Sequence, residues 1–236
     1  MYKKILIIPI AILFVLFIKV DSASALWTYE QNFDSLNDGS LVGQDGWAKI
    51  SGTDSTDIDS TYALLSSTKG VIFPVTVSLN STYSRNVAGG TDGTFYFATK
   101  CTTVAPAGHQ HIVSLDGGSY YGVFFSWVRV DATTYKIQAY ASGGYVDLFT
   151  GLSQDTTYVI AIEYETDTAD QYRGKIKSAG GTFGSFSTWR TFANGQSSMT
   201  RLRILKDWGW GVIMDEFSAS DPDPVTPTTR RIMSIE

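Results

Sequence analysis

Residues 122–141 read GVFFSWVRV-DATT-YKIQAYA, and the pairing of this stretch decides how the rest of the chain is read. Two runs of β-branched and aromatic residues flank Asp131-Ala132-Thr133-Thr134, the composition of two strands and a tight connection. If all four of those residues form the loop, Val130 faces Tyr135. Antiparallel pairing then sets Val128 opposite Ile137, Ser126 opposite Ala139 and Phe124 opposite Ala141. The alternate positions pair Arg129 with Lys136, Trp127 with Gln138 and Phe125 with Tyr140. The first set is apolar or small throughout and belongs in a core. The second combines aromatic rings, an amide and two cations, which suits a surface that meets something polar.

Working outward, the same texture recurs along the chain. Short β-branched or aromatic runs bounded by Gly, Asp, Asn or Ser mark strands at 27–32, 48–51, 62–65, 71–79, 94–100, 111–115, 122–130, 135–141, 145–149, 158–165, 172–177, 200–205 and 212–217. Pro74 makes 71–79 an edge strand or two pieces. No stretch past the N-terminus carries a helical period. So many short strands demand two packed sheets, because one open sheet of that size would curl or split. The expected fold is all-β, a two-sheet antiparallel sandwich.

The ends read differently. Lys3 and Lys4 precede an apolar run from Ile5 to Ile18, and Ala23-Ser24-Ala25 supplies small residues for a signal peptidase. The run is shorter than the ~20 residues of a membrane span. Residues 1–25 are therefore expected to be a cleaved signal peptide, residues 26–220 the folded domain, and residues 221–236 a Pro-punctuated extended tail. That predicts a secreted protein with no membrane association after cleavage. Without the signal the chain carries 15 basic and 22 acidic residues, an acidic balance that argues against a nucleic-acid partner. Cys101 stands alone, so no internal disulfide forms and stability must come from a core.

Four passages, YEQNFDSLNDGSLVGQDGW (29–47), HIVSLDGGSYYGVFFSWVRV (111–130), GLSQDTTYVIAIEYETDTADQYRGKI (151–176) and GWGVIMDEFSASD (209–221), resemble the concanavalin A-like lectin/glucanase superfamily in its bacterial, laminin-G-like branch. The resemblance implies a jelly-roll sandwich and binding of glycans or extracellular partners. It also implies a structural calcium where the first and last strands meet, with Glu30 and Asp215 as the matching acids. No other cofactor is required.

Other candidates follow from the residues. Asp34 to Asp45 fails as an EF-hand because Leu36 occupies a ligand position, so Asn37-Asp38-Gly39 reads as turn chemistry. Asp54, Asp57 and Asp59 read as a solvated loop. His109 and His111 alternate and could share a zinc, although they read better as residues of an entering strand. Glu163, Glu165 and Asp167 also alternate, as acids do in laminarinase-type glucanases of the superfamily, and are the weak catalytic candidates for a glycoside hydrolase or lyase. Sugar binding asks for aromatic planes beside amides and charges. Phe125, Trp127, Arg129, Lys136, Gln138 and Tyr140 meet that description, followed by Trp208 and Trp210 and then Tyr120 and Tyr121. The sequence thus points to a non-catalytic, lectin-like domain for a polysaccharide or glycoconjugate. An adhesive protein with protein partners and a glycan-cleaving enzyme are the alternatives.

Overall fold

The computed structural model describes residues 27–52, 56–73, 81–102, 108–118, 121–206 and 211–224. The signal peptide expected at residues 1–25, Asp54, Tyr120, Trp208, Trp210 and most of the expected tail lie outside them. The first sheet orders β1 (Ala48–Ser51), β4 (Ser81–Asn86), β13 (Arg201–Lys206), β6 (His109–Asp116), β7 (Tyr121–Arg129), β8 (Thr134–Ala141) and β9 (Gly144–Ser153). The second orders β12 (Arg190–Thr191), β11 (Gln171–Ser178), β10 (Tyr158–Glu165), β5 (Asp92–Cys101), β14 (Val212–Ser218), β3 (Gly70–Phe73) and β2 (Asp57–Asp59). Every strand pair among the described residues is antiparallel. The two-sheet sandwich expected from the strand pattern is what forms.

Two expected strands do not form. Residues 27–32 run alongside β14 with only one bridge, Gln31 to Phe217. Nor is there a strand at 62–65: Tyr62 ends a short 3-10 turn, Ser60–Tyr62, capped by Asp59 accepting from the Thr61 N–H at 2.8 Å. Its hydroxyl-rich Ser-Thr sequence favours such local caps over a ladder.

The hairpin of β7 and β8 forms, one residue away from the expected register. Phe124 pairs with Tyr140, Phe125 with Ala139, Trp127 with Ile137 and Arg129 with Tyr135. The cause lies in the loop. Asp131 Oδ1 accepts from the Thr133 and Thr134 N–H groups at 2.9 and 2.8 Å, closing a turn of three residues. Thr134 is thereby drawn into the strand, where its carbonyl accepts from the Val130 N–H at 2.9 Å. A slip of one residue exchanges the faces of a strand. Phe125 and Trp127 therefore point inward and are fully buried, together with Tyr135, Ile137 and Ala139. The expected open face containing Phe125 and Trp127 does not exist.

Between the sheets sits a continuous aromatic core. Phe95 stacks on Phe97 with centroids 5.7 Å apart, Phe97 meets Phe125 and Phe217, and Tyr172 stands edge-on to Phe125. Trp127 donates its indole N–H to Thr99 Oγ1 at 3.1 Å, so its one polar atom is satisfied by the opposite sheet. Cys101 is fully buried within this core.

Candidate functional site

The outer face of the first sheet gathers polar and aromatic side chains in register. One row crosses six strands through successive partners: Ser84, Arg203, Ser114, Phe124, Tyr140 and Tyr145. Beside it runs a second row of His111, Ser126, Gln138 and Asp147. Short connections keep these rows aligned. The three-residue loop after β7 sets one edge, and Gly143 and Gly144, at φ 95 and 120, reverse the chain immediately before Tyr145.

His111 and Tyr145 meet across the rows, with Nε2 and Oη 3.0 Å apart. Phe124 and Tyr140 stack beneath them at 4.8 Å and 8°, and Tyr145 stands edge-on to Tyr140 at 5.2 Å. His111 also packs against Phe124 at 4.7 Å. Tyr145 keeps 40% of its surface exposed, whereas Phe124 keeps 9%. The pair thus stands at the surface on an aromatic floor. Arg203 lies one strand over and one pleat along from His111, roughly 8 Å between backbone positions. Its Nε donates to Asp116 Oδ2 at 2.5 Å, and Asp116 is fully buried. That pairing fixes the guanidinium at one end of the row. At the other end Asp147 accepts from Lys136 at 2.9 Å and from Gln138 at 2.6 Å, and these contacts hold its carboxyl below the usual carboxylate range. Ser114 and Ser126, on the same face, have buried hydroxyls without a hydrogen-bond partner.

Of the six expected hairpin residues, Lys136, Gln138 and Tyr140 reach this face. Arg129 is spent on its own loop, donating to the Asp131 carbonyl at 2.7 Å. His111, Tyr145, Phe124 and Arg203 were not expected in a shared site. The correct register would have put His111 opposite Ser126 and Phe124 opposite Tyr140, which was the missing signal.

The acids Glu163 and Glu165 lie on the outer face of the second sheet. Glu163 accepts from Arg173 Nε at 2.5 Å and Glu165 from Gln171 Nε2 at 2.8 Å, while Asp167 follows the end of β10. Glu163 and Glu165 line a hollow of about 330 Å³ with Asp92 and Trp189.

Glu30 and Asp215 occupy different surroundings. Asp215 is fully buried beneath Leu64, accepting from the Leu64 N–H at 2.9 Å, the Glu216 N–H at 2.8 Å and the Ser67 hydroxyl. A bulge then turns Glu216, at φ 55, into a hollow of about 560 Å³ lined by Glu30, Gln31, Asp45 and Phe217. The acid beside Glu30 is therefore Glu216, and the Asp215 oxygens are already engaged. Among the described residues no group of three or more His, Cys, Asp or Glu could hold a metal. This donor set does not fit a calcium held by Glu30 and Asp215.

Burial pushes the Asp215 carboxyl up to about 8. It also raises Glu216 to about 7, helped by the charges of Asp34 and Glu30. A carboxyl whose folded pKa exceeds its unfolded value binds protons more tightly when folded. Its contribution is then fully present below the unfolded value near 4 and is lost as pH rises through the folded value. Melting temperature is expected to fall by several degrees between pH 5 and pH 8.5, and Asp215→Asn should flatten that slope. The variant also loses an acceptor, so the slope, measured by thermal denaturation, is the readout. An unchanged slope would refute the assignment.

No protein-family model matches the chain, and no curated protein matches it. Solved structures do. The carbohydrate esterase vb_24B_21 of the Shiga toxin-encoding bacteriophage phi24B is 15% identical over 83% of this chain and 96% of its own, with a TM-score of 0.57. The catalytic domain of the glycoside hydrolase family 131 protein from Coprinopsis cinerea is also 15% identical, over 83% and 95%, at 0.55. The alginate lyase Aly36B is 11% identical over 80% and 94%, at 0.51. These likenesses show the fold alone, a two-sheet antiparallel jelly-roll sandwich. They also overturn the expectation of a non-catalytic, lectin-like domain. The structures sharing this fold are named for carbohydrate-active enzymes, and the aromatic face that supported lectin-like binding is half inside the core.

Proposed function

We propose that this jelly-roll chain is a secreted enzyme that cleaves an anionic polysaccharide by β-elimination on the outer face of its first sheet. The observation that carries this reading is the His111–Tyr145 pair at 3.0 Å, packed against the Phe124–Tyr140 stack on the outer face of the first sheet. Acid–base chemistry needs two groups that exchange protons within hydrogen-bond reach of the reacting atoms. Here the carbon next to a uronate carboxylate loses its proton to His111 Nε2. The electron pair forms a carbon–carbon double bond, the bond to the glycosidic oxygen breaks, and Tyr145 Oη protonates the departing oxygen. The pair then passes the proton back across its own hydrogen bond. Arg203 would neutralise the substrate carboxylate, which makes the adjacent C–H more acidic. The Phe124–Tyr140 floor supplies a surface for sugar C–H faces. Solved relatives of the fold that act on carbohydrates, an alginate lyase among them, support a polysaccharide partner.

The test is a panel of uronate polymers and neutral β-glucans, read by ultraviolet absorbance of the unsaturated product. Absorbance is expected with at least one uronate polymer and with no neutral glucan. Arg203→Ala should lower kcat/KM about a hundredfold, the scale of losing one preorganised electrostatic contact. New reducing ends without the unsaturated chromophore, or no cleavage of any polymer, would refute elimination.

A further inference from the structure

The second sheet carries an outer hollow that the proposed chemistry does not use. Its floor is set by the pairing of β5 with β10: Asp92 stands opposite Glu165, Gly93 opposite Tyr164 and Thr94 opposite Glu163. Trp189 lines the same hollow of about 330 Å³, and Arg173 lies over its ring at 4.4 Å. The residues after β11 hold this wall in place. Phe183 and Phe186 cover Lys175, and Phe186 also covers Arg173. The hollow is therefore a built pocket with an aromatic side and an acidic floor.

The acidic floor is short of positive charge. Arg173 neutralises Glu163, and Glu165 accepts from the neutral amide of Gln171. Asp92 Oδ1 is shielded from solvent and has no hydrogen-bond partner. Burial raises the Asp92 carboxyl above its ordinary value, and the neighbouring Asp167 and Glu165 raise it further. The repulsion from the Asp167 and Glu165 carboxylates is what an added positive charge would relieve. A ring-bearing wall beside carboxylates suits a sugar that carries both a C–H face and an ammonium group.

We infer that the Asp92–Glu165–Trp189 hollow is a second glycan site, one that takes an amino-sugar unit with its protonated amine on Asp92 and Glu165. The site lies on the opposite sheet from His111 and binds without cleaving. It would tether the enzyme to a glucosamine-bearing matrix while the first sheet works.

Calorimetric titration of the intact protein with a glucosamine tetramer tests this, with its N-acetylated counterpart and an oligolysine as controls. The glucosamine tetramer should bind, at least tenfold more tightly than either control, and more weakly as salt is raised. Asp92→Asn and Trp189→Phe should each weaken it about tenfold or more, the scale of one charge-assisted contact. His111→Ala should leave it unchanged. Binding lost in His111→Ala would move the site to the other sheet and overturn the inference. Equal binding of the N-acetylated tetramer, tighter binding of oligolysine, or indifference to both hollow substitutions would each overturn it as well.

Discussion

Tyr145→Phe is expected to lower turnover of the cleaved uronate polymer by about a hundredfold or more, and His111→Ala by a comparable or larger factor. Tyr145 is 40% exposed, so removing its hydroxyl deletes a proton donor while sparing the core. The ring contacts to Tyr140 at 5.2 Å and Phe124 at 5.8 Å survive in phenylalanine. KM should therefore change far less than kcat, because the sugar-facing surface persists and only the group acting in the transition state is gone. The double variant should lose little beyond the worse single one, since the two groups act as a unit. Steady-state kinetics with far-ultraviolet circular dichroism as a fold control would measure this. Turnover within a factor of three of the parent in Tyr145→Phe would remove the pair from the chemistry.

Much of the fold was legible because its signals are local. Strand β10, Tyr158–Glu165, coincides with the β-branched and aromatic run expected at 158–165. Strands β2 and β12, of three and two residues, gave no such run, and β4 (STYSRN) is too polar to announce itself. The site was harder to read because it depends on register between strands. Asp131 accepts from two backbone N–H groups, so the loop shortens by one residue and the faces of β7 exchange, while those of β8 stay as expected. Sequence alternation marks two faces of a strand equally well and does not say which one is buried. Composition tilted the choice wrongly here. Phe125 and Trp127 looked like ligand platforms, and Ser126 looked like a small core residue. His111 carried no partner nearby in sequence, since Tyr145 lies three hairpin connections away and meets it only once β6 to β9 are aligned. Asp215 illustrates the same difficulty. It was matched to Glu30 by position, but a bulge in β14 delivers Glu216 there instead.

The register can be tested by its energetic consequence. Trp127→Ala is expected to destabilise the protein by about 3–5 kcal/mol, the usual cost of deleting a large buried aromatic side chain. Trp127 is fully buried, packs edge-on to Tyr135 at 6.2 Å and gives its N–H to Thr99 on the opposite sheet. The substitution therefore opens a cavity and also strands a buried hydroxyl, and both effects act in the same direction. Gln138→Ala removes only a surface hydrogen bond to Asp147 and should cost about 1 kcal/mol or less. In the four-residue-loop pairing these two residues would be partners on one open face, and their substitutions would cost similar, small amounts. Urea denaturation of the three proteins decides between the pairings. A loss of several kcal/mol confined to Trp127→Ala fits the shortened loop. Because such a loss is a large part of the 5–15 kcal/mol that holds an ordinary domain together, it should be plain in the midpoint. Two equal, minor losses would mean that the hairpin faces are reversed, and the His111–Tyr145 site would fall with them.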